Sequence, residues 1–329
     1  MKDLIKNFLS DKKKTLPILS FPAVSLLGIS VNDLITSSTN QADALEAINK
    51  RCAMGALVTP MDLSVEAECF GAPIKFSEDE VPAVISPILD DITDAENLPI
   101  PEIGSGRSAI FTEGIRLAKE KLPDSLIFSG AIGPYSLASR LFDMTSLMME
   151  CYDDPDSVKI LLEKVTEFLI KYINAQKEAG ADGVILAEPA AGLLSPALCE
   201  EFSSVYVKKI VDAVADDNFI FCYHNCGGSV PSCIDSIVNI GADIYHFGNA
   251  IKLSDVISKI PEESLIMGNV DPLIFKDKTP ADMRSAVNAL FAECSGFDRF
   301  MISSGCDIPF SADWQVIDEY FAAVGELYD

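Results

Sequence analysis

The sequence predicts an α/β protein built as a (β/α)8 barrel, or TIM barrel, with an N-terminal extension. Short apolar runs alternate with longer amphipathic segments along the chain. Strands that read as continuous apolar runs are typical of parallel strands buried on both faces. Eight such units fit the usual barrel length of about 250 residues plus a leading extension. A doubly wound open sheet is the alternative, but no glycine-rich dinucleotide fingerprint follows an early strand.

The predicted elements follow one another as a single domain over residues 1–329. The predicted strands are "LPILSF", "GALVTP", "SLIFSGAIGP", "DGVILAEP", "NFIFCYHNC", "ADIYHFG", "SLIMGNVDP" and "RFMISSGCDIP". The helical segments between them include "DALEAINKRCAMG", "PDSVKILLEKVTEFLIKYINAQKEAG", "SPALCEEFSSVYVKKIVDAVA" and "PADMRSAVNALFAECSG". Residues 60–107, rich in proline and acidic groups, are expected to be a long excursion near the barrel mouth, as a lid or rim.

Composition excludes several classes of partner. Fifty acidic and 25 basic residues give a net charge of -25, which disfavours binding to nucleic acid. No run reaches the roughly 18 apolar residues of a membrane span. Nine cysteines without the spacing of a disulfide framework favour a reducing cytoplasm. Lysines before an apolar stretch leave a secretory signal as an alternative, although Pro17 and Pro22 interrupt that stretch.

Both histidines of the chain follow predicted strands, as do two of its nine cysteines. His224 and Cys226 end the fifth strand two residues apart, so their side chains point the same way on an extended segment. Cys306 ends the eighth, and in a barrel these strand ends face one mouth. Two thiolates and one imidazole form a zinc set with one open position, as in catalytic sites. Ordinary core packing is the alternative for each residue, and Cys222 is assigned to the core.

Three further residues at strand ends are candidate catalytic groups: Glu188, His246 and Asp271. Glu188 ends an apolar strand, where a carboxylate needs a partner or a task. It is expected to be a fourth metal ligand displaced by substrate or a group that orients His224, with an exposed loop carboxylate as the alternative. His246 and Asp271 are expected to line the site, unless they are ordinary residues at loop starts.

The motifs at these strand ends resemble those of the uroporphyrinogen decarboxylase superfamily, and within it the zinc-dependent methylcobamide:coenzyme M methyltransferases. The shared segments are "GAIGPYSLAS", "AGADGVILAEPAAGLLSP", "YHNCGG", "GADIYHFG", "GNVDP" and "SSGCDIP". The resemblance implies that His224, Cys226 and Cys306 bind Zn2+, and Glu188 stands where relatives more often carry aspartate. It also implies methylcobamide as the methyl donor, a corrinoid-binding partner protein and a small thiol such as coenzyme M as the acceptor.

Two departures bear on the predicted activity. The chain reads "SFPAVSLLGIS" where the decarboxylases carry an arginine-rich segment, and "HFGNAIK" where related methyltransferases carry an acidic residue. We therefore expect a methyltransferase in which a zinc-activated thiolate attacks the methyl group of a methylated corrinoid, breaking the methyl–cobalt bond and leaving cob(I)amide and a methyl thioether. The acceptor is coenzyme M, another thiol or tetrahydrofolate. The alternatives are a decarboxylase-like lyase without metal and a non-catalytic barrel that binds a corrinoid or another small molecule.

Overall fold

A seven-stranded parallel sheet forms the centre of the computed structural model, which describes residues 2–3, 5–6 and 15–328. The strand order is β1-β4-β5-β6-β7-β8-β9. The strands are β1 (Leu57–Val58), β4 (Ile127–Ile132), β5 (Gly183–Ala187), β6 (Ile220–Asn225), β7 (Ile244–Phe247), β8 (Leu265–Val270) and β9 (Phe300–Ser304). Each strand is added beside the previous one, whereas a doubly wound sheet reverses its direction of addition. The predicted parallel α/β fold is confirmed.

The run predicted as the first strand lies between β9 and β1. Thr15 makes a parallel bridge to Ile302 of β9, and its carbonyl accepts a hydrogen bond of 2.9 Å from the Gly55 backbone N–H, just before β1. The Ile18 N–H donates to the Ser304 hydroxyl at 3.0 Å. Within the described residues this run forms an isolated bridge rather than an eighth strand. Most of the predicted extension, including residues 7–14, lies outside the described residues.

Helices cover the sheet and connect its strands. The α-helices are α1 (Ala23–Leu27), α2 (Val31–Ile35), α3 (Ser38–Arg51), α4 (Val65–Cys69), α5 (Ser108–Lys121), α6 (Pro134–Leu141), α7 (Met144–Asp153), α8 (Pro155–Glu178), α9 (Pro196–Cys199), α10 (Val205–Val214), α11 (Val230–Val238), α12 (Ile274–Asp277), α13 (Pro280–Cys294) and α14 (Trp314–Tyr328). Short 3-10 segments span Ile92–Asn97, Ala190–Leu193, Leu253–Asp255 and Ile257–Lys259, and a π-helical turn spans Glu200–Ser204. No helix among the described residues is long and apolar enough to cross a membrane.

Local sequence explains why α8 forms where it does. Pro155 occupies its first turn, where the missing N–H costs nothing, and the Asp154 side chain accepts a hydrogen bond of 3.2 Å from the Ser157 N–H. Apolar side chains three and four residues apart, such as Leu161 and Val165, form one fully buried face. The helix therefore packs by one stripe while its charged side faces outward.

The excursion between β1 and β4 has structure of its own. It contains α4 and an antiparallel hairpin of two strands, β2 (Ile74–Ser77) and β3 (Glu80–Val84). The N–H groups of Val31 and Asn32 in α2 donate to the Glu78 carbonyl at the hairpin turn. These contacts dock the hairpin against the N-terminal helices.

Candidate metal centre

Strand β6 positions His224 at the carboxyl end of the sheet. All six residues of this strand are buried, and His224 lies in register with Ala187 of β5 and His246 of β7. Immediately after the strand, the Asn225 side chain accepts a hydrogen bond of 2.9 Å from the Gly227 N–H. Such a side-chain turn bends the chain sharply. Cys226 therefore leaves the sheet plane beside His224.

Close backbone approach fixes the position of Cys226. The Gly248 N–H donates to the Asn225 carbonyl at 3.1 Å. A Cβ at Gly248 would lie 2.7 Å from both the Cα and the Cβ of Cys226, closer than real Cβ contacts allow. Glycine is required at position 248 because the loop after β7 packs directly against this cysteine.

Strand β9 brings Cys306 to the same place. The Gly305 N–H after this strand donates to the Val270 carbonyl at 2.6 Å. The Cys306 Sγ lies 3.5 Å from the His224 Nε2. One ligand atom each from His224, Cys226 and Cys306 lies within 4.8 Å of the other two. The structure thus brings together the three residues predicted as metal ligands.

The donor set of this cluster fits zinc. A tetrahedral zinc with bonds of about 2.0 to 2.3 Å separates its ligand atoms by roughly 3.3 to 3.8 Å, so the observed spacing requires shifts of about 1 Å or less. The cluster opens into a small cavity of about 70 Å³. The remaining lining residues are Ile18, Met61, Leu63, Ala187, Pro189 and Asp307. This lining is mostly apolar, which strengthens electrostatic interactions at the cluster.

The two thiols of the cluster differ in acidity. The pKa of Cys226 lies well below its ordinary value, because contacts with the Cys306 thiol and with His224 stabilise its thiolate. The same contact with Cys226, together with burial, raises the pKa of Cys306. The contact between the two thiols thus favours a pair of one thiolate and one thiol.

His246 packs against the candidate ligand His224. Their ring centroids are 4.6 Å apart, and His246 is fully buried. Its Nε2 lies 2.7 Å from the Ser304 carbonyl, which can only accept, so this nitrogen carries the proton. Burial lowers the pKa of His246 well below its ordinary value. The residue is therefore a neutral ring packed against His224, and its predicted catalytic role stays a prediction.

Glu188 is directed toward the start of α6. Its Oε1 accepts hydrogen bonds from the backbone N–H groups of Tyr135 (2.8 Å) and Ser136 (3.3 Å) and from the Ser203 hydroxyl (3.2 Å). The residue that precedes α6 is Gly133, which has no side chain to cap the helix, so Glu188 takes that role. Burial raises the pKa of Glu188 to about 8.

Glu188 and Asp271 lie outside the three-residue cluster found among the described residues. The Glu188 backbone N–H donates to the His224 carbonyl at 2.9 Å, but its carboxylate forms no hydrogen bond with the His224 ring. The Asp271 Oδ1 accepts from the Leu273 N–H at 2.9 Å, which caps the turn before α12. Catalytic roles for both residues stay predictions.

Sequence reasoning did not single out Asp307. It follows Cys306 in the segment "SSGCDIP" and lines the metal cavity. Its Oδ1 is buried and has no hydrogen-bond partner among the described residues, and burial raises its pKa well above the ordinary value. An acidic residue directly after a candidate ligand was the available signal.

A second, larger cavity of about 540 Å³ adjoins the first, and Pro189 lines both. Its other lining residues are Val84, Ile85, Ser86, Pro87, Ser136, Ser139, Arg140, Asp143, Met144, Ala190 and Leu193. The cavity thus lies between the end of the hairpin, helix α6 and the loop after β5. An arginine among the small and apolar residues of "GPYSLASRLF" was a signal that sequence reasoning passed over.

Comparison with known proteins shows the family to which the chain belongs. The family model described as "Uroporphyrinogen decarboxylase (URO-D)" matches residues 23–327. The chain belongs to the uroporphyrinogen decarboxylase family. Within that family, it is 28% identical over 258 residues to a methylcobamide:CoM methyltransferase of Methanosarcina acetivorans, covering 77% of this chain and 74% of the relative. It is 26% identical over 256 residues to a uroporphyrinogen decarboxylase of Actinobacillus succinogenes, covering 74% and 71%.

The solved structure of a methyltransferase from Methanosarcina mazei superposes on the whole chain. The TM-score is 0.87, with 100% of both chains covered and 23% sequence identity. At that identity the likeness shows the fold. The chain is about equally identical to a methyltransferase and to a decarboxylase. Sequence identity therefore does not decide between these two activities, and the chemistry of the site has to.

Proposed function

We propose that this protein is a zinc-dependent methyltransferase that moves a methyl group from a methylated corrinoid to a thiol such as coenzyme M. The observation that carries the proposal is the convergence of His224, Cys226 and Cys306 at one point. Similarity to a methylcobamide:CoM methyltransferase over 77% of the chain supports it. We further propose that a separate corrinoid-binding protein presents the methylcobamide donor.

His224, Cys226 and Cys306 would hold the zinc ion. When bound by three protein ligands, zinc offers an open position at which a thiol loses its proton at neutral pH. The neutral ring of His246 positions His224 by packing at 4.6 Å. The mostly apolar walls of the small cavity limit the entry of water. Together these residues would prepare a thiolate nucleophile in a dry site.

The larger cavity argues against porphyrinogen decarboxylation. Arg140 is the one arginine or lysine among the residues that line the two cavities. A porphyrinogen carries several carboxylates, and each would need a cationic or hydrogen-bonding partner once buried. The lining serines can donate hydrogen bonds, but one arginine leaves most of these carboxylates without a cation. The cavities suit a substrate with one anionic group better than one with many.

The same proposal extends to architecture and compartment. We propose that the run from Thr15 closes the sheet into an eight-membered barrel in one domain over residues 1–329, supported by the bridge to Ile302. Residues 60–107 would form the rim of its mouth, since residues 84–87 line the larger cavity. All nine cysteines are free, which supports work in the reducing cytoplasm.

Metal content and methyl transfer test the proposal together. Protein purified without oxygen should hold about one zinc per chain. It should remove the methyl group from methylcobalamin in the presence of 2-mercaptoethanesulfonate, followed by the loss of methyl–cobalt absorbance, and should show no such loss without thiol. Protein that takes up no transition metal would contradict the proposal. Porphyrinogen turnover would instead support the lyase alternative.

A further inference from the structure

The larger cavity has the size of a small-molecule binding site and one cationic side chain on its lining. Its volume of about 540 Å³ lies within the range of small-molecule sites, and it shares Pro189 with the metal cavity. Ile85 and Leu193 on its lining are 64% and 59% exposed, which is unusual for large apolar side chains. The cavity therefore combines apolar contact surface with a position next to the candidate metal site, from which Pro189 separates it.

Arg140 is the group in this cavity that lacks a partner. It lies half-buried in the last turn of α6 and makes no hydrogen bond or ion pair with any described residue. By contrast, Arg107, which is 4% exposed, pairs with Asp62 and Glu68 and donates to the Ser64 hydroxyl at 2.8 Å. The fold thus satisfies the buried Arg107 completely and leaves the half-buried Arg140 without a hydrogen bond or ion pair among the described residues.

Nearby carboxylates do not neutralise Arg140 by contact. Asp62 is engaged by Arg107. The Glu66 Oε1 accepts from the Ile132 N–H at 2.9 Å, and burial raises the pKa of Glu66 to about 7. Asp143 caps α7 through the Ser146 N–H at 3.0 Å. Glu66 and Asp62 act on Arg140 only through space, so its guanidinium lines the cavity as a cation with free hydrogen-bond donors.

We propose that Arg140 binds the anionic group of a substrate at the methyl-transfer site, namely a sulfonate, carboxylate or phosphate. This rests on the proposed function and deepens it. A planar guanidinium can donate two parallel hydrogen bonds to such a group. In a chain of net charge -25, a local cation is needed to hold an anion at all. The anion belongs either to the tail of the acceptor thiol or to the phosphodiester of the corrinoid.

Kinetics with charged and neutral substrates distinguish these two origins of the anionic group. Arg140→Gln should raise the KM for 2-mercaptoethanesulfonate by about 10-fold or more, the usual cost of one charge-assisted hydrogen bond, and leave the KM for 2-mercaptoethanol unchanged. Arg140→Lys should recover part of the loss. If the corrinoid supplies the anion, the KM for methylcobalamin should rise instead, while that for methylcobinamide, which lacks the phosphodiester, should not.

The matched control is Arg116→Gln. This variant removes the same charge from an exposed arginine on α5 that pairs with Glu113 and Glu120, outside both cavities. It should leave every KM unchanged. Equal effects of Arg140→Gln on charged and neutral substrates, or a lowered melting temperature with unchanged KM values, would overturn the proposal and leave Arg140 as a helix C-terminal cation.

A binding measurement keeps this proposal separate from the methyltransferase proposal. Calorimetry with ethanesulfonate, which has no thiol, and with cobinamide and cobalamin needs neither metal nor turnover. Anion binding that depends on Arg140 in a protein without zinc or methyl transfer would support the site and sink the proposed activity. Methyl transfer that does not depend on Arg140 for any anionic substrate would support the proposed activity and overturn the anion site.

Discussion

Two regions at the carboxyl edge of the sheet use buried polar side chains in opposite ways. At the ends of β6 and β9, the side chains of His224, Cys226 and Cys306 converge on one another. Glu66 of α4 and Glu188 after β5 are equally buried, but each accepts hydrogen bonds from backbone N–H groups at or just after the end of β4. The first region directs its donor atoms to one point. In the second, Oε1 of each glutamate holds the chain, while Oε2 has no hydrogen-bond partner among the described residues.

We call Glu66 and Glu188, with the N–H groups that they bind, the carboxylate region, and the three-residue cluster the convergent region. The carboxylate region holds the loop after β4 from two sides. Glu66 accepts from the Ile132 N–H, and Glu188 accepts from those of Tyr135 and Ser136, three and four residues further on. This loop leads into α6, the helix that carries Arg140. Burial and a perturbed pKa occur in both regions, so neither property alone marks a reactive site. Convergence of several donors on one point is the property that separates them.

Removing one convergent ligand should have the largest effect. Cys306→Ser replaces a soft thiolate by a hydroxyl that zinc binds poorly. Groups that only contact metal ligands already change metal affinity or activity by about 10 to 100-fold, so loss of a ligand should cost at least about 100-fold in thiol-dependent demethylation. The measurement is zinc content together with the initial rate.

Cys69→Ser is the matched control for this variant. The Cys69 Sγ donates to the Ser105 carbonyl at 3.1 Å, a hydrogen bond that a serine hydroxyl can also make. Zinc content and rate should stay at the level of the unmodified protein. Equal losses in both variants would show that the cluster at Cys306 has no special role.

Gly133→Ala should disrupt the carboxylate region by collision. A Cβ at Gly133 would lie 1.5 Å from the Glu188 Oε2, although the backbone angles of Gly133, φ -80° and ψ 163°, suit alanine. Because the fully buried Glu188 has little room to move, we expect a loss of about 3 kcal/mol in the free energy of unfolding. Urea denaturation measures it. Gly325→Ala in α14, whose Cβ meets nothing within 4 Å, should be neutral or stabilising.

Glu66→Gln should change how stability depends on pH. Burial raises the Glu66 pKa from 4.5 to about 7 in the folded protein. The stability contributed by its protonated form is fully present below pH 4.5 and is lost as the pH rises through 7. Glutamine does not titrate, so the stability of the variant relative to the parent should increase by up to roughly 3 kcal/mol from pH 4.5 to pH 8. The measurement is the denaturation midpoint of variant and parent across this pH range. A constant difference between the two midpoints would contradict the prediction.

The convergent region could be predicted from sequence because its geometry follows from local pattern. Apolar runs locate the strands, and parallel topology brings their carboxyl ends together. Side-chain alternation also predicted that Cys226 points the same way as His224, although β6 ends at Asn225 and Cys226 lies in the turn that follows. None of these steps requires the direction of a side chain relative to a distant helix. The prediction that these three residues meet therefore follows from the fold itself.

The carboxylate region could not be predicted in this way. Glu188 was expected beside the metal, but its hydrogen-bond partner Tyr135 lies 53 residues earlier in the chain. Whether the Glu188 carboxylate contacts His224 or the start of α6 depends on which backbone N–H groups lack an acceptor. The sequence alone does not show which groups these are. The same holds for the ion pair of Arg107 with Asp62, 45 residues apart, and for the β2–β3 hairpin within residues 60–107.

Asp271→Ala should have the smallest effect and decides to which region Asp271 belongs. Its carboxylate accepts one hydrogen bond of 2.9 Å from the Leu273 N–H in a partly exposed turn, so its loss should cost about 1 kcal/mol of stability. Zinc content and the rate of methyl transfer should not change, because Asp271 is absent from the metal cluster. Asp271→Asn keeps an acceptor oxygen and should recover most of the stability. If both variants fold normally but lose activity, Asp271 takes part in the reaction. Its carboxylate would then both cap the turn before α12 and act in catalysis.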